Sequence, residues 1–287
     1  MDRATALKSN PHSPTTTAPQ PFAVAADGTR LHVTAWGEGE PVLFLHSWAM
    51  QARMWDYQFA ALAPHGLRCI GFDRRGHGRS DQSADGYDYD TLADDVAAVI
   101  EAQDLHGVTL VGHSMGAGEI VRYLTRHGGR RVKKIVLLAP TTPFLAQTPD
   151  NPSGLPLAAF EAMRTAWRTD FPGWIAQNAA AFFTPDTSPA LIDWAVRMML
   201  EIPLPVALAC NRAVTETDFR AELAKIDTPC LVIHGDADVS APLALAGAPT
   251  AALIPHCDLK VYDGAPHGLM YTHTERLNSD LLEFIRG

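Results

Sequence analysis

The chain has 287 residues, of which 47% are hydrophobic, and its 32 acidic and 23 basic side chains give a formal net charge of −9. This length permits one large α/β domain or two smaller ones. We expect no nucleic-acid partner, because no basic stripe is available to neutralise phosphates. We expect no membrane insertion, because no apolar run approaches the ~18 residues of a membrane helix.

Residues 1–21 are rich in Pro, Thr and Ser and lack the continuous apolar core of a signal peptide. We therefore predict a disordered N-terminal tail. The four cysteines, at positions 69, 210, 230 and 257, lie far apart. In a chain without an export signal, such spacing indicates buried thiols rather than a disulfide framework or a metal site. We predict a cytoplasmic location.

After the tail, short apolar strands alternate with longer amphipathic segments, which is typical of a mostly parallel sheet flanked by helices. The turn Asp27-Gly28 predicts that the sheet opens with an antiparallel hairpin. The predicted strands of this first part are residues 22–26, 31–35, 42–45, 67–72, 108–111 and 134–138. The predicted helices are residues 53–63, 89–103 and 115–127.

The alternation stops at Pro140 and resumes only near residue 221. Residues 141–220 contain helical segments dense in large apolar side chains and no convincing strand, which predicts a helical cap inserted into the sheet domain. Strands at 230–234 and 259–262 and helices at 243–253 and 274–285 follow. We thus predict an eight-stranded α/β core formed by residues 22–140 and 221–287, with the cap formed by residues 141–220.

Most of the large apolar side chains of the cap are expected to form its own core, and the remainder to face an apolar substrate pocket. The pocket candidates on the cap are Trp167, Trp174, Phe182, Trp194 and Met198.

The segment Gly112-His113-Ser114-Met115-Gly116 follows a strand and precedes a helix. A strand, a sharp turn and a helix in this order form a nucleophile elbow, which exposes the serine hydroxyl at the turn. Glycine on either side of the serine lets the strand and helix approach closely, because it has no Cβ. We predict that Ser114 is a nucleophile.

A serine nucleophile needs a base within hydrogen-bonding reach and a group that orients the base. Among twelve histidines we favour His267, which lies in a loop after the last strand. Its position after the serine and the acid agrees with the chain order of this architecture. Asp236 and Asp238 both follow the strand at 230–234. We favour Asp238 as the acid and expect Asp236 to brace the turn through backbone N–H groups.

Two backbone N–H groups are expected to face the oxyanion. Met115, at the start of the helix after the serine, should supply one, and Trp48, in the loop after the strand at 42–45, the other. His46 and His113 are expected to be structural. The turn Asp73–Ser80 is expected to shape its loop through charged hydrogen bonds.

Several segments resemble one known family in the same order along the chain. They are His46-Ser47-Trp48, Asp73–Ser80, Gly86–Asp95, the elbow continued to Gly128, His234–Asp238 and Ala265–Gly268. The chain resembles the α/β-hydrolases of the bacterial arylesterase and cofactor-free haloperoxidase (perhydrolase) family. The resemblance implies a Ser114–His267–Asp238 triad, no metal or cofactor, and ester hydrolysis through an acyl-enzyme. Many members of the family also make peracids from hydrogen peroxide and a carboxylic acid.

The chain departs from that family at two positions. Ser47 stands where the oxyanion loop usually has glycine, which places an extra hydroxyl near the acyl group and makes Ser47 a sixth pocket candidate. Ala49 stands where perhydrolases tend to have proline, which favours plain hydrolysis.

These features predict a serine hydrolase that cleaves small to medium, largely apolar carboxylic esters or lactones. The alternatives with the same triad are a perhydrolase, an amidase or lactamase, and a carbon–carbon bond hydrolase. A non-catalytic ligand-binding protein with the same fold is a further alternative. The expected partner is a small-molecule substrate, and the chain could form a homo-oligomer.

Overall fold

The structure, a computed structural model, describes residues 21–287. Apart from Pro21, the predicted disordered tail therefore lies outside the described residues. None of the helices in the described part of the chain is long and apolar enough to span a membrane.

The core of the structure is an eight-stranded sheet with the strand order β1-β2-β4-β3-β5-β6-β7-β8. β1 and β2 form an antiparallel hairpin, β2 runs antiparallel to β4, and the strands from β3 to β8 are parallel to one another. The mostly parallel sheet predicted from the sequence is thus confirmed. The strands are β1 (Phe22–Val24), β2 (Arg30–Trp36), β3 (Glu40–Leu45), β4 (Leu67–Phe72), β5 (Val108–His113), β6 (Val132–Leu138), β7 (Cys230–Gly235) and β8 (Cys257–Tyr262).

Helices flank the sheet and connect its parallel strands. In the described residues they are α1 (Asp56–Leu62), α2 (Tyr89–Ala102), α3 (Met115–His127), α4 (Leu157–Asn178), α5 (Pro189–Leu200), α6 (Leu204–Glu216), α7 (Arg220–Leu223), α8 (Gly247–Leu253), α9 (Leu269–Thr272) and α10 (Thr274–Arg286). α1 packs against α10, and α2 packs against α3. Because helices cover the central strands, all six residues of β5 are buried.

The helical segment predicted between the two parts of the core is also observed, since α4 to α7 all lie between β6 and β7. α4 is kinked at Asp170, which has φ −154° and ψ 83°, two residues before Pro172. The Oδ1 atom of Asp170 accepts a hydrogen bond of 2.8 Å from the backbone N–H of Gly173 and so caps the second half of the helix. The boundaries proposed for the cap and the core remain predictions.

The predicted helix at 243–253 is wrong at its start, because α8 begins only at Gly247. The carbonyl of Pro242 accepts hydrogen bonds from the backbone N–H groups of Leu245 and Ala246, so a turn precedes the helix. The apolar residues of this turn follow the same pattern as those of the helix. For this reason the sequence predicted a helix that begins too early.

The sheet places three loops side by side. β5, β7 and β8 belong to the parallel part of the sheet, so their carboxyl ends lie at the same edge. Ser114 directly follows β5, Asp238 lies three residues after the end of β7, and His267 lies five residues after the end of β8. The topology therefore brings together three residues that are distant in the sequence.

Candidate active site

Ser114 occupies a sharp turn between β5 and α3, with φ 54° and ψ −113°. This backbone conformation is strained for any residue with a Cβ atom. The turn is possible because of its two glycines: a Cβ on Gly112 would lie 2.5 Å from the carbonyl oxygen of Gly116, and one on Gly116 would lie 2.7 Å from that of Leu45. The local geometry is that of the predicted elbow.

The side chains of Ser114, His267 and Asp238 form a continuous hydrogen-bonded chain. The Nε2 atom of His267 lies 3.0 Å from the Oγ atom of Ser114. Its Nδ1 atom lies 2.6 Å from the Oδ2 atom of Asp238. All three side chains are buried. This arrangement can move a proton from the hydroxyl to the imidazole and stabilise the resulting cation.

The carboxylate of Asp238 is held in its ionised form. Its Oδ1 atom accepts hydrogen bonds from the backbone N–H groups of Ser240 at 2.9 Å and Ala241 at 2.8 Å. Burial by itself would raise the pKa of Asp238, but His267, a hydrogen bond from His234 and the N–H of Ala241 outweigh burial and hold the pKa well below its usual range. An ionised Asp238 requires the proton of His267 on Nδ1, which leaves Nε2 free to accept from the serine.

Asp236 has a different environment. Its Oδ1 atom accepts a hydrogen bond of 2.7 Å from the backbone N–H of Gly264, and so it ties the loop after β7 to the loop after β8. This is the bracing contact expected from the sequence. No hydrogen bond joins Asp236 to His267 in the described part of the chain.

His113 helps to hold the loop that carries His267. Its Nε2 atom donates to the backbone carbonyl of His267 at 2.9 Å, and the backbone N–H of Gly268 donates to the backbone carbonyl of Phe182 at 3.0 Å. Burial, and then the nearby His267, hold the pKa of His113 well below its usual value, so this ring stays neutral. These contacts fix the loop that carries the imidazole.

Two backbone N–H groups are available for an oxyanion at the predicted positions. Met115 is the first residue of α3, so its N–H has no partner inside the helix. The N–H of Trp48 has no acceptor among residues 21–287. The indole Nε1 atom of Trp48 donates to the carbonyl of Ala207 at 2.9 Å, and its ring stacks on Trp167 with 4.7 Å between centroids. The cap thus holds the side chain of Trp48 in place.

The turn after β4 fixes the loop that carries Trp48. The buried guanidinium of Arg74 pairs with Glu119 and donates to the carbonyl oxygen of His46 at 2.7 Å. His46 in turn accepts at Nε2 from the backbone N–H of Arg74 at 2.9 Å. The two carboxylate oxygens of Asp73 accept from the backbone N–H groups of Ala52 and Arg79, each at 2.9 Å. The expected structural roles of His46 and of this turn are thus observed.

A cavity of about 400 Å³ opens at Ser114 and His267. Four of the six pocket candidates line it: Ser47, Trp167, Trp174 and Phe182. The prediction is wrong for the other two. Trp194 packs on Tyr57 and Tyr271 instead, with centroid distances of 6.3 and 5.8 Å. Met198 does not line the cavity, whereas its neighbour Met199 does, because successive helical residues are rotated by about 100°.

The sequence analysis missed several residues of the cavity wall. Most of them are apolar. Those on the cap include Phe160, Met163, Ile175, Asn178, Asn211, Val214 and Thr215, and Ser240 lies in the loop after β7. Asn211 and Thr215 lie four residues apart on α6, where a search for aromatic side chains does not find them. A more open groove of about 560 Å³, beside residues 84–88 and α6, holds none of the three residues Ser114, Asp238 and His267.

No group of three or more His, Cys, Asp or Glu side chains suited to hold a metal ion occurs in residues 21–287. Cys69, Cys210, Cys230 and Cys257 are all free thiols, of which the first three are buried and Cys257 is partly exposed.

Three buried histidines near the site should make the stability of the folded protein depend on pH. Burial holds the pKa of His46 and His113 well below the usual value and lowers that of His77 to about 3. The unfolded chain binds protons at these positions below about pH 6.5, whereas the folded chain does not. Stability is therefore fully present above that pH and falls as the pH decreases towards 3.

We expect the free energy of unfolding, measured with urea, to fall by up to about 4 kcal/mol between pH 7.5 and 5.5, which is about 1.4 kcal/mol for each histidine. A His77→Asn variant keeps a donor for the carbonyl of Arg75, 2.9 Å from the Nδ1 atom of His77. This variant should lose about a third of the pH dependence. An unchanged slope in the variant would show that His77 does not contribute to it.

The strand order, the inserted helices and a strained serine after β5 define the class of α/β-hydrolases. A family model described as alpha/beta hydrolase fold matches residues 40–274. The chain belongs to this family.

The relatives of the chain include haloperoxidases and esterases. It is 41% identical to a non-heme chloroperoxidase of Streptomyces lividans over 91% of this chain and 98% of the relative. It is 35% identical to a bifunctional esterase/perhydrolase of Acinetobacter calcoaceticus over 92% of this chain and 99% of the relative. Among solved structures, an esterase from Exiguobacterium antarcticum has a TM-score of 0.90 and 31% identity, covering 93% of this chain and 99% of that one.

Proposed function

We propose that the protein is a serine hydrolase that cleaves small to medium, largely apolar carboxylic esters or lactones through an acyl-enzyme. One observation carries the proposal: His267 lies 3.0 Å from the hydroxyl of Ser114 on one side and 2.6 Å from the carboxylate of Asp238 on the other. A serine becomes nucleophilic at neutral pH when a base so placed takes its proton.

In the proposed mechanism, the Nε2 atom of His267 takes the proton of Ser114 while the Oγ atom attacks the substrate carbonyl. The backbone N–H groups of Trp48 and Met115 donate to the oxyanion, and each such donor contributes about 3 kcal/mol to the transition state. His267 then gives its proton to the leaving alcohol. A water molecule, activated by the same imidazole, attacks the acyl-enzyme and releases the acid and the free serine.

The cavity wall supports the substrate class. Its lining is mainly aromatic and aliphatic, with Trp167, Trp174, Phe182 and Met199 among its members. A volume of about 400 Å³ suits a small to medium substrate. An apolar wall favours substrates with uncharged acyl and alcohol groups.

Perhydrolysis is a second candidate, because the Acinetobacter relative is named a bifunctional esterase/perhydrolase. In that reaction hydrogen peroxide replaces water in the attack on the acyl-enzyme, so that a peracid and the free serine are formed. One position weighs against it. Ala49 has φ 57°, a value that proline cannot adopt because its ring fixes φ near −65°. The loop therefore has a conformation that is incompatible with the proline that perhydrolases tend to have at this position.

The predicted cytoplasmic location, the small-molecule partner and the possible homo-oligomer remain proposals. The four free thiols support the first of these, because cytoplasmic proteins keep their cysteines reduced.

A fluorophosphonate probe followed by peptide mass spectrometry tests the proposed nucleophile. We expect one covalent adduct on Ser114, formed at a rate that a competing ester reduces. A panel of p-nitrophenyl esters, lactones, anilides and diketones, with hydrogen peroxide present or absent, tests the reaction. Ester or lactone turnover should dominate. The absence of an adduct together with no turnover would point to a ligand-binding protein, and faster peracid formation would favour the second candidate.

A further inference from the structure

The wall of the catalytic cavity contains one buried polar cluster among apolar residues. It consists of Arg164 on α4 and of Asn211 and Thr215 on α6. Arg164 is 1% exposed, Thr215 is 2% exposed and Asn211 is 9% exposed. Asn211 and Thr215 line the cavity. Burying a polar group in an apolar wall costs free energy unless the group has a hydrogen-bond partner. The partners of each polar atom in the cluster therefore decide what the cluster can still bind.

Arg164 determines which way the amide of Asn211 points. A guanidinium group can only donate hydrogen bonds. Its Nη1 atom lies 3.2 Å from Oδ1 of Asn211 and 3.1 Å from Oγ1 of Thr215. The amide oxygen of Asn211 therefore faces Arg164, and the NH₂ group lies on the other side of the amide. The hydroxyl of Thr215 is satisfied as well, because it donates to the backbone carbonyl of Asn211 at 3.0 Å.

Among residues 21–287, two donors of the cluster lack an acceptor: Nε of Arg164, which is buried, and Nδ2 of Asn211, which belongs to the cavity wall. No residue in the described part of the chain accepts a hydrogen bond from Nδ2 of Asn211. The other cavity asparagine differs, because Nδ2 of Asn178 donates to the carbonyl of Trp174 at 2.8 Å. Asn211 is thus a pre-oriented donor, nine-tenths buried, in the wall of the cavity that holds Ser114.

The position of Asn211 along α6 places it next to the residue that anchors the side chain of Trp48. The carbonyl of Ala207, four residues earlier on α6, accepts from the indole of Trp48, whose backbone N–H we assign to the oxyanion. In an α-helix that carbonyl is also the acceptor of the backbone N–H of Asn211. In the proposed mechanism the backbone N–H groups of Trp48 and Met115 already serve the oxyanion, so the free donor of Asn211 is left for another oxygen of the substrate.

We propose that Asn211 binds a second oxygen of the substrate, a neutral carbonyl-type acceptor remote from the scissile ester. This inference rests on the proposed function and narrows its substrate class. The acceptor is neutral because the charge of Arg164 is already compensated: its Nη2 atom lies 3.1 Å from Oε1 of Glu216 and 3.2 Å from Oε1 of Glu161. An alkyl chain at this position leaves the amide unpaired, so oxygenated substrates are preferred.

Matched ester pairs measure this preference. The first set is methyl heptanoate with its 4-, 5- and 6-oxo derivatives. The second pair is pentyl hexanoate and 4-oxopentyl hexanoate. At least one oxo ester should exceed its alkyl partner in kcat/KM by about 10-fold, the net effect of one buried hydrogen bond. A wild-type enzyme that prefers the alkyl ester in every pair, or that prefers a carboxylate-terminated ester such as monomethyl adipate, would overturn the proposal.

Two variants assign the preference to Asn211. Asn211→Asp has the same size and still accepts from Arg164 but has no donor, and Asn211→Leu removes both functions. Both should lower the oxo-to-alkyl ratio to about 1. Asn178→Leu is the matched control, because its amide is already bonded, and it should keep the ratio. An unchanged ratio in Asn211→Asp, with a native circular dichroism spectrum, would contradict the role of Asn211.

Equilibrium binding separates this inference from the proposed reaction. Ligand binding to Ser114→Ala, which has no nucleophile, is followed by the fluorescence of the cavity tryptophans, Trp48, Trp167 and Trp174. The oxo ester should bind about 10-fold more tightly than the alkyl ester, and the added Asn211→Asp change should abolish the difference. Equal binding would overturn the subsite. If wild type hydrolyses neither ester while the binding difference persists, the proposed reaction fails and the subsite stands.

Discussion

Replacing Ser114 with alanine is expected to lower kcat/KM for a p-nitrophenyl ester by about 10⁴-fold or more. The change removes the only atom that forms the covalent bond and leaves His267 and Asp238 in place. It should not unfold the protein, because alanine meets the same φ of 54° that serine already adopts at this turn. Steady-state kinetics and a thermal melt on the same preparation check both parts.

Ser188→Ala is the matched control for this experiment. Ser188 is exposed, precedes α5 and is not part of the cavity lining. Its replacement should leave kcat/KM within about two-fold of wild type, as is usual for surface substitutions away from special features. Retention of more than a tenth of the activity by Ser114→Ala would contradict a role for Ser114 as the nucleophile.

The sheet was predictable because its strands carry local signals that tertiary packing does not override. β4 has the predicted bounds, Leu67–Phe72, and so does α3, Met115–His127. β5 is a mostly apolar run in which Gly112 precedes the last residue, and the buried face of α2, formed by Leu92, Val96, Val99 and Ile100, follows the helical period. In such segments a short stretch of sequence contains enough information to specify the element.

The cavity wall was harder to predict because its membership depends on how helices are rotated against one another. The residue type does not distinguish Trp194 from Trp167. Trp194 packs on Tyr57 and Tyr271, whereas Trp167 stacks on Trp48. A rotation of one residue on α5 decides between Met198 and Met199. The polar members depend on Arg164, whose partner positions on α6 are 47 and 51 residues away in the chain.

Direct contacts join the loop that carries Trp48 to the helices of the cap. Trp48 supplies the proposed oxyanion donor with its backbone, while its side chain is bonded to Ala207 and stacked on Trp167 of the cap. Gln51, three residues further along the loop, is hydrogen-bonded to Glu201, which follows α5. A substrate that shifts the cap therefore also shifts the oxyanion donor, so cap contacts affect kcat as well as binding.

The second large effect on catalysis is expected from a change at Asp238, the proposed acid of the triad. Asp238→Asn is expected to lower kcat by about 10⁴-fold, because the neutral amide no longer holds the proton of His267 on Nδ1 and cannot stabilise the imidazolium. The contact at stake is the 2.6 Å hydrogen bond between Oδ2 of Asp238 and Nδ1 of His267. Ester hydrolysis at pH 7.5 to 8.5 measures the loss at saturating substrate.

Asp236→Asn distinguishes the two aspartates that follow β7. Asp236 contacts the backbone N–H of Gly264 rather than the imidazole, so its amide variant keeps an oxygen for that contact. We expect kcat within about 10-fold of wild type and a loss of stability of less than about 1 kcal/mol, because the hydrogen bond is kept and only its charge is removed. The assignment depends on the order of the two effects: if Asp236→Asn were the more damaging to kcat, Asp238 would not be the residue that orients the base.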